Sequence, residues 1–220
     1  MPRIALAAAV IASSTFLAFN PILAAETPVR APAPAVREQA PAGQETAVFA
    51  GGCFWGVQGV FSHVKGVISA TSGYTGGQAA TAQYDAVSTG ATGHAESVKV
   101  VFDPRKVDYA DLLRIYFSVV ADPTLVNRQG PDEGPQYRSA LFPLNAGQAK
   151  VARAYIVQLG AAHVFARPIA TRLEGQHGFF PAEGSHQDFF ARNPDYPYIV
   201  INDQPKVNAL RKMFPGNWKS

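Results

Sequence analysis

The run Val48-Phe49-Ala50-Gly51-Gly52-Cys53-Phe54-Trp55-Gly56 decides how this chain is read. A β-prone segment meets two glycines, and a helix starts just beyond them. The glycines permit a sharp turn and a close approach of backbone to a ligand, while a helix start offers unpaired N–H groups and the positive end of a dipole. Cys53 is the only cysteine among 220 residues. As a nucleophile it would gain from this setting: a thiol with a pKa near 8.5 is about 3% ionised at neutral pH, and a drop of about 1.5 units raises that to roughly half. A small buried hydrophobe fits the same position, since free cysteine is among the most buried residue types. The segment alone leaves both readings open.

Outward from this turn, apolar spacing predicts alternating elements. Thr46 to Ala50 reads as a buried strand and Phe54 to Val64 as a helix with Val57, Val60, Phe61 and Val64 on one face. Gly66 to Thr71 is a second strand, Ser72 to Gly77 a glycine-rich loop, and Ser97 to Phe102 a β-branched strand stopped by Asp103-Pro104. A helix from Asp108, its N-cap, to Val120 buries Leu112, Leu113, Tyr116 and Val119-Val120. A polar loop then covers Asp122 to Gln136, followed by a strand over Tyr137 to Leu144, a helix over Ala146 to Ala162 and a last strand over Pro168 to Glu174. Aromatics, prolines and loops fill the rest, and the pattern is that of one mixed α/β or α+β domain without repeats.

The N-terminus has a different character. Residues 1–25 carry one charge, Arg3, an apolar stretch from Ile4 to Phe19 and small residues at Ala24-Ala25, the layout of a signal peptide. The apolar stretch is broken by Ser13, Ser14 and Thr15 and is shorter than the ~20 residues a membrane span needs. Residues 26–44 are rich in Pro and Ala without hydrophobic periodicity and read as an extended or disordered linker, with the catalytic domain at 45–220. The chain is therefore expected to be exported, to the periplasm or beyond. Exported domains usually pair their cysteines, so a lone one points to a reactive thiol or an intermolecular bridge. Loss of Arg3 with the leader lowers the formal charge from +3 to +2, and no basic run interleaved with aromatics argues for nucleic acid.

Other segments carry candidate chemistry. Phe54 and Trp55 can wall an apolar slot for a methyl or thioether group, or simply pack in the core. Glu96 follows the loop Gly90 to Ala95 at the mouth of a strand, where desolvation can raise a carboxyl pKa and make it a proton donor; a loop salt bridge or cap is the plainer alternative. The loop Asn127 to Ser139 is dense in polar side chains on a path fixed by glycine and proline. No metal site is expected: Cys53 has no partner cysteine and His63, His94, His163, His177 and His186 lack zinc-binding spacing.

Together, GGCFWG at 51–56, GYTGG at 73–77, TGHAESV at 92–98, DPT at 122–124, RQGPDEGPQYRS at 128–139 and PAEGSHQ at 181–187 resemble the peptide methionine sulfoxide reductase A family. The resemblance implies an α+β fold, a two-layer ferredoxin-like sandwich core with a long irregular C-terminal region. It implies that Cys53 attacks the sulfur of a methionine S-sulfoxide, that Phe54 and Trp55 hold its methyl group, and that Glu96 protonates its oxygen with help from Tyr84 and Tyr137. Asp132, with Arg138, would order the surrounding loop. No metal or organic cofactor is implied, and the protein is expected to be a monomer acting on oxidised proteins or peptides.

Attack leaves a sulfenic acid on Cys53. Many relatives resolve it with further cysteines near the C-terminus, but this chain ends Lys212 to Ser220 without one. The resemblance therefore implies an external thiol reductant, thioredoxin-like, glutaredoxin-like or a small molecule. Ala121 and Ser185 depart from residues common in the family at those places. Two rival readings are a cysteine hydrolase with His94 or His186 as base, and a binding module for oxidised methionine without turnover.

Overall fold

The computed structural model describes residues 27–39, 42–175 and 178–220; the expected signal segment lies outside them. The chain forms β1 (Glu45–Ala50), α1 (Phe54–Ser62), β2 (Val67–Thr75), α2 (Tyr84–Ser88), β3 (Ala95–Phe102) and α3 (Tyr109–Ile115). A π-helical turn, Tyr116–Val120, prolongs α3. A short hairpin of β4 (Arg128–Gln129) and β5 (Asp132–Glu133) precedes β6 (Ala140–Phe142), α4 (Ala146–Ala161), β7 (Arg172–Leu173), β8 (Phe179–Pro181) and α5 (Phe189–Arg192). A second π turn, Ile199–Asp203, leads into α6 (Gln204–Met213).

The result is a mixed α+β fold around a mostly antiparallel sheet, ordered β7-β6-β1-β3-β2-β8, in which only β6 and β7 run parallel. Alternation along β1 sends Ala47 and Phe49 into the main core with Val98, Val100 and Phe102 of β3. The same core takes Val57, Val60 and Phe61 of α1, Leu112 and Leu113 of α3, and Val151, Tyr155 and Leu159 of α4. Val48 and Ala50 point the other way, into a smaller cluster with Ala95, Ala140 and Phe142.

Three expectations are corrected. The glycine-rich run Ser72-Gly73-Tyr74-Thr75 is strand, not loop: Gly73 pairs with Pro181 and Glu96 pairs with Tyr74, so glycine serves close packing against Phe179 and Phe180 rather than a turn. The helix expected to Val120 gives way after Ile115 to the π turn, although Asp108 is its N-cap as read, its Oδ1 accepting Asp111 N–H at 2.8 Å. The C-terminal stretch is irregular only to Tyr198; beyond the second π turn α6 closes on the body through buried Val207, Ala209 and Leu210.

The Pro/Ala-rich segment is extended as read, but it is no free tether. From Val29 to Arg37 it lies along α3, the first π turn and α4, with Ala31 fully buried.

Candidate active site

Cys53 is the N-cap of α1, delivered there by a turn that only glycine can make. Gly52 has φ +90°, and a Cβ on it would stand 2.6 Å from Cβ of Gln129. Gln129 is fixed in turn by two 2.9 Å bonds to the main chain of Asp122. Behind Gly51 the first π turn packs so tightly that an added Cβ would meet Ala121, Tyr116 and Val120 at 3.1–3.2 Å. The Tyr116 hydroxyl donates to the carbonyl of Ala50 at 2.6 Å, which fixes the end of β1.

The sulfur faces a cavity of about 220 Å³ lined by Cys53, Phe54, Trp55, Tyr84, Glu96, Asp132, Tyr137, Tyr196 and Tyr198. All seven residues assigned to the site from sequence meet there. Tyr196 and Tyr198 were not among them. Trp55 stacks on Phe189 at 3.8 Å between ring centres, lies edge-on to Tyr196 and Tyr198, and donates its indole N–H to Nδ1 of His186 at 3.2 Å. Tyr84 stacks on the other aromatic partner, His186, at 4.2 Å. Glu183 ties these pieces together, accepting from the Tyr74 hydroxyl and from Tyr84 N–H, both at 2.8 Å.

Glu96 opens β3 and is 2% exposed, with Oε2 accepting the Phe54 N–H at 3.0 Å. Burial pushes its carboxyl up to about 8, opposed by the Phe54 N–H and reinforced by the charges of Asp132 and Asp203. At pH 7 such a group is roughly nine-tenths protonated. The thiol departs from expectation. Burial, then the charges of Glu96 and Asp203, push Cys53 well above the usual thiol range, and the Trp55 N–H that opposes them is too little. The helix start does not hold a resting thiolate because its Phe54 N–H already serves Glu96 and the pocket holds acids rather than cations. Burial also raises the hydroxyls of Tyr84 and Tyr137, so both are donors across the neutral range.

Asp132 accepts from the Tyr198 hydroxyl and thereby joins the early loop to the late segment. Asp203, 1% exposed, sets its carboxylate where a Cβ on Gly56 would be, which explains that glycine in the first turn of α1. Arg138 stands behind the pocket: it holds Glu174 at 2.7 and 2.9 Å and the carbonyls of Gly93, His94 and Pro135. It therefore orders the approach to β3 and lines no part of the cavity. The histidines offered as bases do not serve Cys53. His94 bonds Gly77 N–H and the Gln78 carbonyl, and His186, kept neutral first by burial, receives Trp55. Among the described residues no group of three or more His, Cys, Asp or Glu is placed to hold a metal ion.

A thiol beside an acid that still keeps its proton suits an electrophile that must give up an oxygen, so the fold and slot define a thiol-dependent oxidoreductase. A family model described as Peptide methionine sulfoxide reductase matches residues 45–217. The protein named MsrA 2 of Mesorhizobium japonicum is 57% identical over 169 residues, covering 77% of this chain and 87% of its own. MsrA 2 of Synechocystis is 50% identical over 173 residues, 79% of this chain and 81% of its own. Among solved structures, reduced Mxr1 from Saccharomyces cerevisiae superposes with TM-score 0.64 at 28% identity, covering 74% of this chain and 92% of that one. Methionine sulfoxide reductase A of Corynebacterium diphtheriae gives 0.58 at 30% identity, with 78% and 84% covered. This chain belongs to the peptide methionine sulfoxide reductase family, whose members are oxidoreductases.

Proposed function

We propose that this family member reduces the S epimer of methionine sulfoxide in peptides and proteins, with Cys53 as nucleophile and Glu96 as proton donor. The observation that carries the assignment is that both groups open into one aromatic-walled cavity, with the acid pushed up to about 8. Phe54 and Trp55 grip the methyl group, and the hydroxyls of Tyr84 and Tyr137 steady the sulfoxide oxygen. Asp132, bonded by Tyr198, holds the loop that forms the floor.

Because both the acid and the thiol rest protonated, the order of events follows. Glu96 gives its proton to the sulfoxide oxygen as Cys53 sulfur adds to the substrate sulfur, and the proton released by Cys53 restores Glu96. The S–O bond of the substrate breaks, methionine leaves as a thioether, and the oxygen ends on Cys53 as a sulfenic acid. Two external thiols then return Cys53 to the thiol, forming a disulfide between themselves and one water. No metal or organic cofactor enters this sequence.

The main-sheet strands β1, β2, β3 and β6 lie in the order β6-β1-β3-β2 with helices after β1 and β3, which supports a ferredoxin-like core. A site complete within one chain supports a monomer. The leader-like residues 1–25 support export, where the protein would repair oxidised methionine with a thioredoxin-like, glutaredoxin-like or small-molecule thiol. Steady-state turnover of each sulfoxide epimer with a panel of such thiols tests the proposal. Reduction of the S epimer alone is expected; equal turnover of both, or none with any thiol, would reject it.

A further inference from the structure

The N-terminal segment is docked by specific bonds. Val29 N–H donates to the Ser118 carbonyl at 3.1 Å and Ala31 N–H to Oγ of Ser118 at 3.0 Å. The carbonyls of Ala31, Pro32 and Ala33 accept from Arg114, Tyr155 and Gln158 at 2.9, 2.6 and 2.9 Å, and Ala35 N–H donates to Gln158 at 2.8 Å. At the far end, Arg37 bridges Asp108 and Asp111 of the α3 start at 2.5 and 2.8 Å.

Beyond Arg37 the chemistry changes. Glu38 sets its carboxyl against Gly147 in the first turn of α4, facing Glu45 of β1. Glu38 Oε1 and Glu45 Oε2 are buried and accept from no N–H or hydroxyl donor among the described residues, and the buried Tyr109 hydroxyl beside them has no partner there either. The other oxygen of Glu45 accepts from Gln148 Nε2 at 2.9 Å. The groups facing Glu38 are therefore Glu45 from β1, Asp108 and Tyr109 from the start of α3, and neutral Gln148 from α4; the nearby cation, Arg37, is committed to Asp108 and Asp111. The negative charge of Glu45 disfavours ionisation of Glu38.

We propose that Glu38, packed against Gly147 and facing Glu45, carries a proton while the segment is docked, and that this acid is a latch through which pH controls the docking of residues 29–38 on the body. Burial, then the bond and charge of Glu45, then Asp108 push Glu38 up to about 7. Tyr109 is raised too, by burial and then by the two glutamates. The sign follows from linkage. A carboxyl whose docked pKa exceeds its free value favours docking fully below the free value of about 4.5, and the advantage is lost as pH rises through about 7. The strap is held in acid and eased at neutrality, while Arg37 and the main-chain bonds keep a pH-independent share.

Hydrogen exchange of the Val29, Ala31 and Ala35 amides in the full chain, expressed as protection factors so that intrinsic pH effects cancel, tests the latch. Wild-type protection is expected to fall about tenfold between pH 5 and pH 8, less than full linkage allows because Glu38 is partly exposed. Glu38→Gln should hold the acid-level protection across the range, and Glu45→Gln should flatten the slope in the same way. Protection that does not change with pH in the wild type, or a Glu38→Gln slope equal to the wild-type one, would overturn the proposal. Neither variant touches the cavity at Cys53, so reductase activity reports that each has folded.

Discussion

The two halves of the pocket are built by different means. Cys53, Phe54 and Glu96 ride on β1, α1 and β3, elements held by sheet ladders and by the main core. Tyr196, Tyr198 and the Trp55 partners His186 and Phe189 come from a stretch whose only regular pieces among the described residues before the second π turn are β8 and the four-residue α5. The first half fixes the reacting atoms, and the second gives the slot its shape. A rigid scaffold places chemistry to fractions of an ångström, whereas packed aromatics on an irregular backbone adapt to the side chain that enters.

This division can be broken by kinetics. Cys53→Ser should reduce turnover of a methionine S-sulfoxide with dithiothreitol to background, more than about 10³-fold below wild type; measurable turnover would remove the thiol from its role. Glu96→Gln keeps the acceptor for Phe54 N–H but no transferable proton, so kcat should drop by about 10² to 10⁴ with KM within about twofold. The wild-type rate should also fall as pH rises through about 8, where Glu96 loses its proton, and that limb should vanish in Glu96→Gln. A flat wild-type profile from pH 6 to 9 would place the proton donor elsewhere.

Stability offers a second reading of the same carboxyl. The folded state holds Glu96 neutral, so its contribution is complete below about 4.5 and declines as pH rises through about 8. Glu96→Gln should therefore match the wild type near pH 4 and exceed it at pH 9 by up to about 5 kcal/mol in chemical denaturation.

The later half should answer differently. Tyr196→Ala removes one wall of the slot and should raise KM by about five- to tenfold while kcat changes less. Tyr198→Phe deletes only the hydroxyl that bonds Asp132, and a two- to fivefold loss in kcat/KM is expected. If these late variants lost kcat with unchanged KM, shape and chemistry would not be divided as the backbone divides them.

The same contrast governs what could be read from sequence. The Gly51-Gly52-Cys53 turn, the α1 stripe and the Asp108 cap are local signals, carried by spacing within a few residues, and the structure has them where they were expected. Glu96 was a candidate donor from its place at the mouth of a strand, with a cap or salt bridge as the alternative; its specific role, and the places of Tyr84, Tyr137 and Asp132, came through the family resemblance. What escaped depends on distant partners. Gly73 and Tyr74 look like loop until β8 pairs with them from a hundred residues away. Tyr196 is 48% exposed, and nothing in its neighbours says that its ring meets Trp55. The direction of the Cys53 shift escaped for a related reason, since a helix start reads as favourable until Glu96, Asp132 and Asp203 converge on it from three other places in the chain. The strap from Val29 to Arg37 has no periodicity because its bonds run through the main chain to α3 and α4.

Glu183 accepts from both Tyr74 and Tyr84, and Asp203 rests against Gly56, so the early elements meet these partners only after residues 183 and 203 have emerged. During synthesis the sulfur is an ordinary side chain without walls or acid company. Reactivity is completed late in assembly, and a product shortened before residue 196 would carry the nucleophile without the Tyr196 and Tyr198 walls of its pocket.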